Sequence, residues 1–143
     1  MKTPEITFFI PEAKVQMFLD YASNPVHAGF PSPADDFLDN KLDLNRALVK
    51  NPSSTFYARV SGESMVDDGV DDGDILIVDK SVSFYEGCLA VCVIDSEFTL
   101  KRVKIEKDGI SLIPANKNFK AIKIKEGNDF RIWGVVRYII KKV

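Results

Sequence analysis

Two side chains in this sequence are suited to acyl transfer. Ser64 lies in Val60-Ser61-Gly62-Glu63-Ser64-Met65, and Lys101 lies in Phe98-Thr99-Leu100-Lys101-Arg102. A serine hydroxyl is a poor nucleophile until a base removes its proton, and histidine is the usual partner. The single histidine, His27, sits in a proline-rich stretch far from Ser64 in sequence. A lysine can take that role only as the neutral amine, because the ammonium has donors and no lone pair. Its unperturbed pKa is about 10.4. Lowering it to near 7 requires about 4 kcal/mol, which burial in an apolar site can supply. Lys101 falls in a strand-like segment beside Leu100 and Val103, where partial burial is expected. The chemistry therefore assigns Ser64 as nucleophile and Lys101 as general base. The backbone amides of Glu63, Ser64 and Met65, just after Gly62, are the expected oxyanion donors. Read alone, Ser-Gly-x-Ser-Met is also an ordinary turn, so the rest of the chain must support the assignment.

A scissile bond is available upstream. Pro25-Val26-His27-Ala28-Gly29-Phe30-Pro31-Ser32-Pro33 is held extended by prolines on both sides. Ala28-Gly29 is its least hindered peptide bond, and protease clefts accept extended backbone as an added edge strand. A plain linker has the same composition.

The elements that must position these residues are mostly strands. The chain has 143 residues, 45% of them hydrophobic, which suits one domain or one domain with an arm. No run approaches the roughly 18 apolar residues of a membrane span, and the N-terminus lacks the apolar core of a signal peptide. The chain reads as cytoplasmic. Residues 1–33 hold Pro4, Pro11, Pro25, Pro31 and Pro33, and read as an extended arm outside the packed domain, with at most a short helical piece around Glu12 to Tyr21. Residues 34–143 read as a β-rich domain. Asp43 is placed to cap a short helix carrying Leu44, Ala47 and Leu48 on one face, and Asn51-Pro52-Ser53-Ser54 ends it.

Beyond it the pattern is β. Strands are expected over Thr55–Val60, Gly73–Asp79, Cys88–Ile94, Phe98–Ile105, Gly109–Pro114, Ala121–Lys125 and Arg131–Ile140. Asp95-Ser96-Glu97 marks a tight hairpin, and the long apolar Arg131–Ile140 is the expected central strand. The fold class is mainly β, a barrel-like or sandwich arrangement of short strands with one short helix.

Between the first two of those strands, Glu63 to Asp74 carries six carboxylates in twelve residues. They fall in adjacent pairs rather than at the alternate positions of a calcium loop, so a solvated turn region is expected, with Gly69 and Gly73 supplying turns. No metal and no cofactor are expected. Cys88 and Cys92 on one strand would share a face about 13 Å apart, too far for a disulfide, and read as small core residues. Net charge is −2, so the chain is not a basic nucleic-acid binder. Residues 1–100 carry 7 Lys/Arg against 17 Asp/Glu, and residues 101–143 carry 12 against 4. Either the two halves interleave and neutralise each other, or the second half presents a basic surface to a partner.

Taken together, Gly62-Glu63-Ser64-Met65, then Asp72-Gly73-Asp74 leading into a β run, then Phe98-Thr99-Leu100-Lys101-Arg102 resembles the self-cleaving Ser-Lys peptidases of the LexA type. Ala28-Gly29 matches the place where that family cuts itself. The resemblance is strongest to the UmuD branch, which has no DNA-binding domain. It rests further on Ala28-Gly29-Phe30-Pro31-Ser32-Pro33-Ala34-Asp35-Asp36, on Asp43-Leu44-Asn45 and on Trp133-Gly134-Val135-Val136. It runs from about residue 26 to the C-terminus, and the first 25 residues match poorly. The resemblance implies a homodimer, cleavage promoted by a RecA filament on single-stranded DNA, and a trimmed product, residues 29–143. That product would act as accessory subunit of a UmuC-like Y-family translesion polymerase in the SOS response. A non-catalytic module of the same fold, binding the polymerase or RecA, is the rival expectation. A signal-peptidase relative would need a membrane anchor, and a repressor would need a recognition helix before the arm; neither is expected.

Overall fold

The computed structural model describes residues 6–10, 19–22, 38–62, 69–114, 120–124 and 129–143. The chain forms two compact units, residues 1–11 with 51–143, and residues 12–50.

β1 (Ile6–Phe9) belongs to the larger unit; in the smaller unit β2 (Leu19–Ala22) pairs antiparallel with β3 (Leu38–Leu42), Leu19 opposite Leu42. The helix α1 (Leu44–Leu48) follows at once. Asp43 caps it as its sequence position predicts: the side chain accepts from Asn45 N at 3.0 Å and from Arg46 N at 3.5 Å. Those amides have no intrahelical partner, so the cap supplies what the first turn lacks. Leu19–Ala22 is a strand, which corrects the helical expectation for the end of Glu12 to Tyr21; residues 12–18 lie outside the described residues.

The larger unit is an eight-stranded antiparallel sheet, curled into a half-barrel, in the order β1-β4-β5-β10-β6-β7-β8-β9. Its strands are β1 (Ile6–Phe9), β4 (Thr55–Val60), β5 (Ile75–Asp79), β6 (Leu89–Ile94), β7 (Glu97–Glu106), β8 (Gly109–Ile113), β9 (Ile122–Ile124) and β10 (Phe130–Ile140). β10 is central, as its apolar length predicts, and pairs with β5 on one side and β6 on the other. Two bulges bend it, between Ile132 and Gly134 and between Val136 and Tyr138. The β6–β7 hairpin turns on Asp95 (φ 48°) and Ser96 (φ 69°), both left-handed, which matches the twist of the flanking strands.

One segment departs from the sequence expectation. Ile6–Phe9 is extended, as its prolines suggest, but it is packed: β1 pairs with β4 from Ile6 opposite Val60 to Phe9 opposite Tyr57. Ile6 is buried there, because its side chain adds to an apolar cluster that the sheet edge would otherwise leave open.

The curled sheet holds two apolar clusters. The first joins Ile6, Ala58, Val60, Val70, Leu76, Val78, Leu89, Val91, Leu100 and Val136, with Phe8 and Trp133 against it. The second joins Cys88, Ala90, Cys92, Val103, Leu112 and Val135. Both cysteines are free and buried in the second cluster, in agreement with their core assignment. The two halves of the chain interleave: acidic-half strands β5 and β6 flank β10, and Lys141 pairs with Asp71 and Asp74.

Candidate active site

β7 presents Lys101. Period-2 alternation sends Leu100 to the first apolar cluster and Val103 to the second. Lys101 stands directly across from Ala90, and Thr99 across from Cys92, so the lysine stem lies along the small side chains of β6. Only 6% of Lys101 is exposed. Its Nζ donates to Thr99 Oγ1 at 2.6 Å and to the Leu100 carbonyl at 3.0 Å. Thr99 thus joins the site. Its signal in the sequence is its spacing, two residues before the lysine and therefore on the same face of the strand.

The β6 residues facing the lysine stem are small and apolar. Ala90 and Cys92 are fully buried. Burial pushes the Cys92 thiol up to about 12, and the nearby Lys101 charge only partly opposes this. Thr99 Oγ1 and the Leu100 carbonyl oxygen each accept a hydrogen from the nitrogen, so its polar head is satisfied in that setting.

The segment holding Ser64 leaves from the end of β4. Its base is closed by backbone: Val60 N donates to Asp74 O at 2.9 Å, and Gly73 N to Val60 O at 2.8 Å. Gly62 N donates to Asp72 Oδ1 at 3.1 Å, which ties the outgoing strand to the returning one. Gly69 (φ 81°) and Gly73 (φ 91°) are left-handed, as turns built on glycine require. Val70 is buried in the first cluster and anchors the return. Asp74, 4% exposed, accepts from Asp71 N at 2.8 Å and from Lys141 Nζ at 2.5 Å. Lys141 also reaches Asp71 Oδ2 at 2.5 Å. Sequence reading missed Lys141, because nothing local links it to residues about seventy positions earlier.

The two sides of this excursion, Val60 and Val70, share one apolar cluster with Leu100, the residue next to Lys101. The fold therefore brings the base of the serine segment and the lysine strand to a common core. Glu63, Ser64 and Met65 themselves lie outside the described residues, as do Ala28, Gly29 and His27. Among the described residues, no cluster of histidine, cysteine and carboxylate side chains could hold a metal ion. A pocket of about 330 Å3 beside the first half of β10, lined by Lys80, Phe84, Ile110, Phe130 and Trp133 among others, contains none of the predicted site residues.

Residues 21–137 match the Peptidase S24-like family. Protein MucA of Salmonella typhimurium is 38% identical over 136 residues, covering 87% of this chain and 92% of MucA. Protein SamA of Salmonella typhimurium strain LT2 is 38% identical over 115 residues, covering 80% of this chain and 79% of SamA. The LexA repressor of Stenotrophomonas maltophilia is 37% identical over 110 residues, covering 77% of this chain and 52% of LexA.

Proposed function

This chain belongs to the Peptidase S24-like family, and on that premise we propose that it is a serine peptidase that cuts its own Ala28-Gly29 bond with Ser64 and Lys101. The observation that carries this reading is the near-complete burial of Lys101 on β7, the strand whose neighbouring residue Leu100 shares an apolar cluster with both sides of the serine segment. A buried amine is the kind of base a serine needs when no histidine serves it.

In this mechanism the neutral Lys101 amine takes the Ser64 hydroxyl proton as Oγ attacks the Ala28 carbonyl carbon. The backbone amides of Glu63, Ser64 and Met65 receive the oxyanion. The C–N bond breaks, the proton passes from Lys101 to the Gly29 nitrogen, and Ala28 remains as an ester on Ser64. Water then attacks the ester with the same amine as base. The products are a carboxylate at Ala28, an amine at Gly29 and free Ser64. Thr99 and the Leu100 carbonyl hold the amine in place throughout.

The relatives support the proposed biological role. MucA and SamA are UmuD-like SOS mutagenesis proteins. On that basis the product, residues 29–143, is an accessory subunit of a UmuC-like Y-family polymerase, and a RecA filament on single-stranded DNA promotes the cut. A homodimer fits β10: among the described residues, beyond Val135 it pairs only with β5, and Tyr138, Ile139 and Ile140 are each about 40% exposed. That open flank suits a second copy better than water. No helix among the described residues is long and apolar enough to cross a membrane.

The test is incubation of the purified chain at about pH 10, where a lysine loses its proton most readily. A fragment beginning at Gly29 is expected, with Ser64→Ala and Lys101→Ala remaining intact. Equal cutting in either variant would rule out the dyad. An uncut wild-type chain that still binds the polymerase would favour a non-catalytic module.

A further inference from the structure

β1 belongs, by sequence position, to the piece that the proposed cut removes, yet it completes the sheet of the piece that stays. Its four residues pair with β4 along the edge of the half-barrel. Ile6 and Phe8 point inward at period two. Ile6 is buried against Ala58 and Val60. Phe8 enters an aromatic cleft, 4.9 Å from Phe98 and 4.5 Å from Trp133 between ring centroids. Thr7 and Phe9 face outward. Beneath β1 is therefore a built receptor: the β4 strand edge that β1 covers, one aliphatic position and one aromatic cleft.

We propose that the β4 edge, with the Phe98–Trp133 cleft, is a docking site for an extended strand of a partner protein, and that β1 caps it until the chain is severed. The occupant runs antiparallel to β4 and presents an aliphatic residue and, two positions on, an aromatic one. The chain's own Ile6-Thr7-Phe8 is the template for that pattern. Backbone pairing at a sheet edge supplies affinity, and the alternate side-chain pockets supply selectivity. Release by severing rests on the self-cleavage reading. While β1 is tethered, its local concentration is on the order of millimolar or higher, so a partner strand competes poorly. Once residues 1–28 are a separate fragment, that effective concentration is lost and β1 exchanges with free strands at their own concentrations.

The test uses the full chain in the Ser64→Ala background, so that self-cleavage plays no part. The probe is a fluorescein-labelled peptide with the sequence of residues 4–11, followed by anisotropy. The capped chain should bind it at least about tenfold more weakly than the same chain carrying Ile6→Lys and Phe8→Lys, which unseat β1. Adding Phe98→Ala to the unseated chain should abolish the gain. Should circular dichroism show the double-lysine chain unfolded, Thr7→Pro breaks the same pairing without burying a charge. Equal binding by capped and uncapped chains, or none by the uncapped, folded chain, overturns the site. Dimers of the capped chain that the peptide dissociates would assign the edge to strand exchange between copies and overturn the partner reading. Release is tested separately, on wild-type protein before and after cutting. A chain that never cuts refutes the peptidase reading and leaves the docking site standing. A cut chain that binds no more peptide than the uncut one refutes release alone.

Discussion

Lys141 Nζ lies 2.5 Å from the carboxylate of Asp74, a residue 67 positions earlier and almost fully buried. Through Asp74 and Asp71 the end of the chain grips the returning side of the serine segment. The hydrogen bond from Lys141 to Asp71, and then that to Asp74, holds its amine above the usual lysine range. The grip is therefore complete below the ordinary lysine value of 10.5 and is lost as pH rises through the higher folded value.

Lys141→Met should slow self-cleavage by about three- to tenfold at pH 8, because the nucleophile loses part of its positioning. Lys141→Arg should restore most of the rate. A time course of the Gly29 fragment checks both, and an unchanged rate in Lys141→Met would show that the grip does not reach Ser64.

Asp79 contributes stability that acid removes. Burial alone would raise its pKa. Hydrogen bonds from Asn51 Nδ2, from Ser81 through Oγ and N, and from Ser54 Oγ outweigh that and bring it from 3.8 down to about 2. A lowered carboxylate contributes stability above its unfolded value and loses it as pH falls through the folded one. Asp79→Asn should therefore cost up to about 2 kcal/mol at pH 7, with the difference from wild type shrinking between pH 4 and 2. Urea unfolding across that range is the measurement.

Cys92 should be chemically silent in the folded chain. Its thiol is pushed up to about 12 by burial, so almost no thiolate exists at pH 8. Cys88 is equally inaccessible, at 1% exposure. Neither should react with a thiol reagent until denaturant is added, after which two thiols per chain should titrate.

Gly134 lies beside a bulge of β10 where the sheet has no room. A Cβ there would come within 2.6 Å of Val78 Cγ1 and 3.5 Å of the Asp79 carbonyl oxygen. Gly134→Ala should destabilise the fold by about 1–3 kcal/mol, read as a shift in the urea midpoint at constant slope.

Much of the architecture was legible locally. The helix over Leu44–Leu48 follows from Asp43 and the turn that ends it. The strands follow from alternation, and the hairpin from Asp95-Ser96. The prolines correctly marked Ile6–Phe9 as extended. They carried no information about pairing, because the partner, β4, lies about fifty residues away.

Local physics, then, was set by the order of residues: where the backbone extends or turns, which cysteines lie too far apart to join, and which serine and lysine are eligible for acyl transfer. The tertiary structure alone decided that Lys101 is buried against Ala90 with Thr99 on its amine, that Val60 and Val70 pack into the cluster of Leu100, and that Lys141 reaches back to Asp74. The reason is that dihedral preference and side-chain period act over a few residues, whereas burial and ion pairing depend on which distant segments the curled sheet sets side by side.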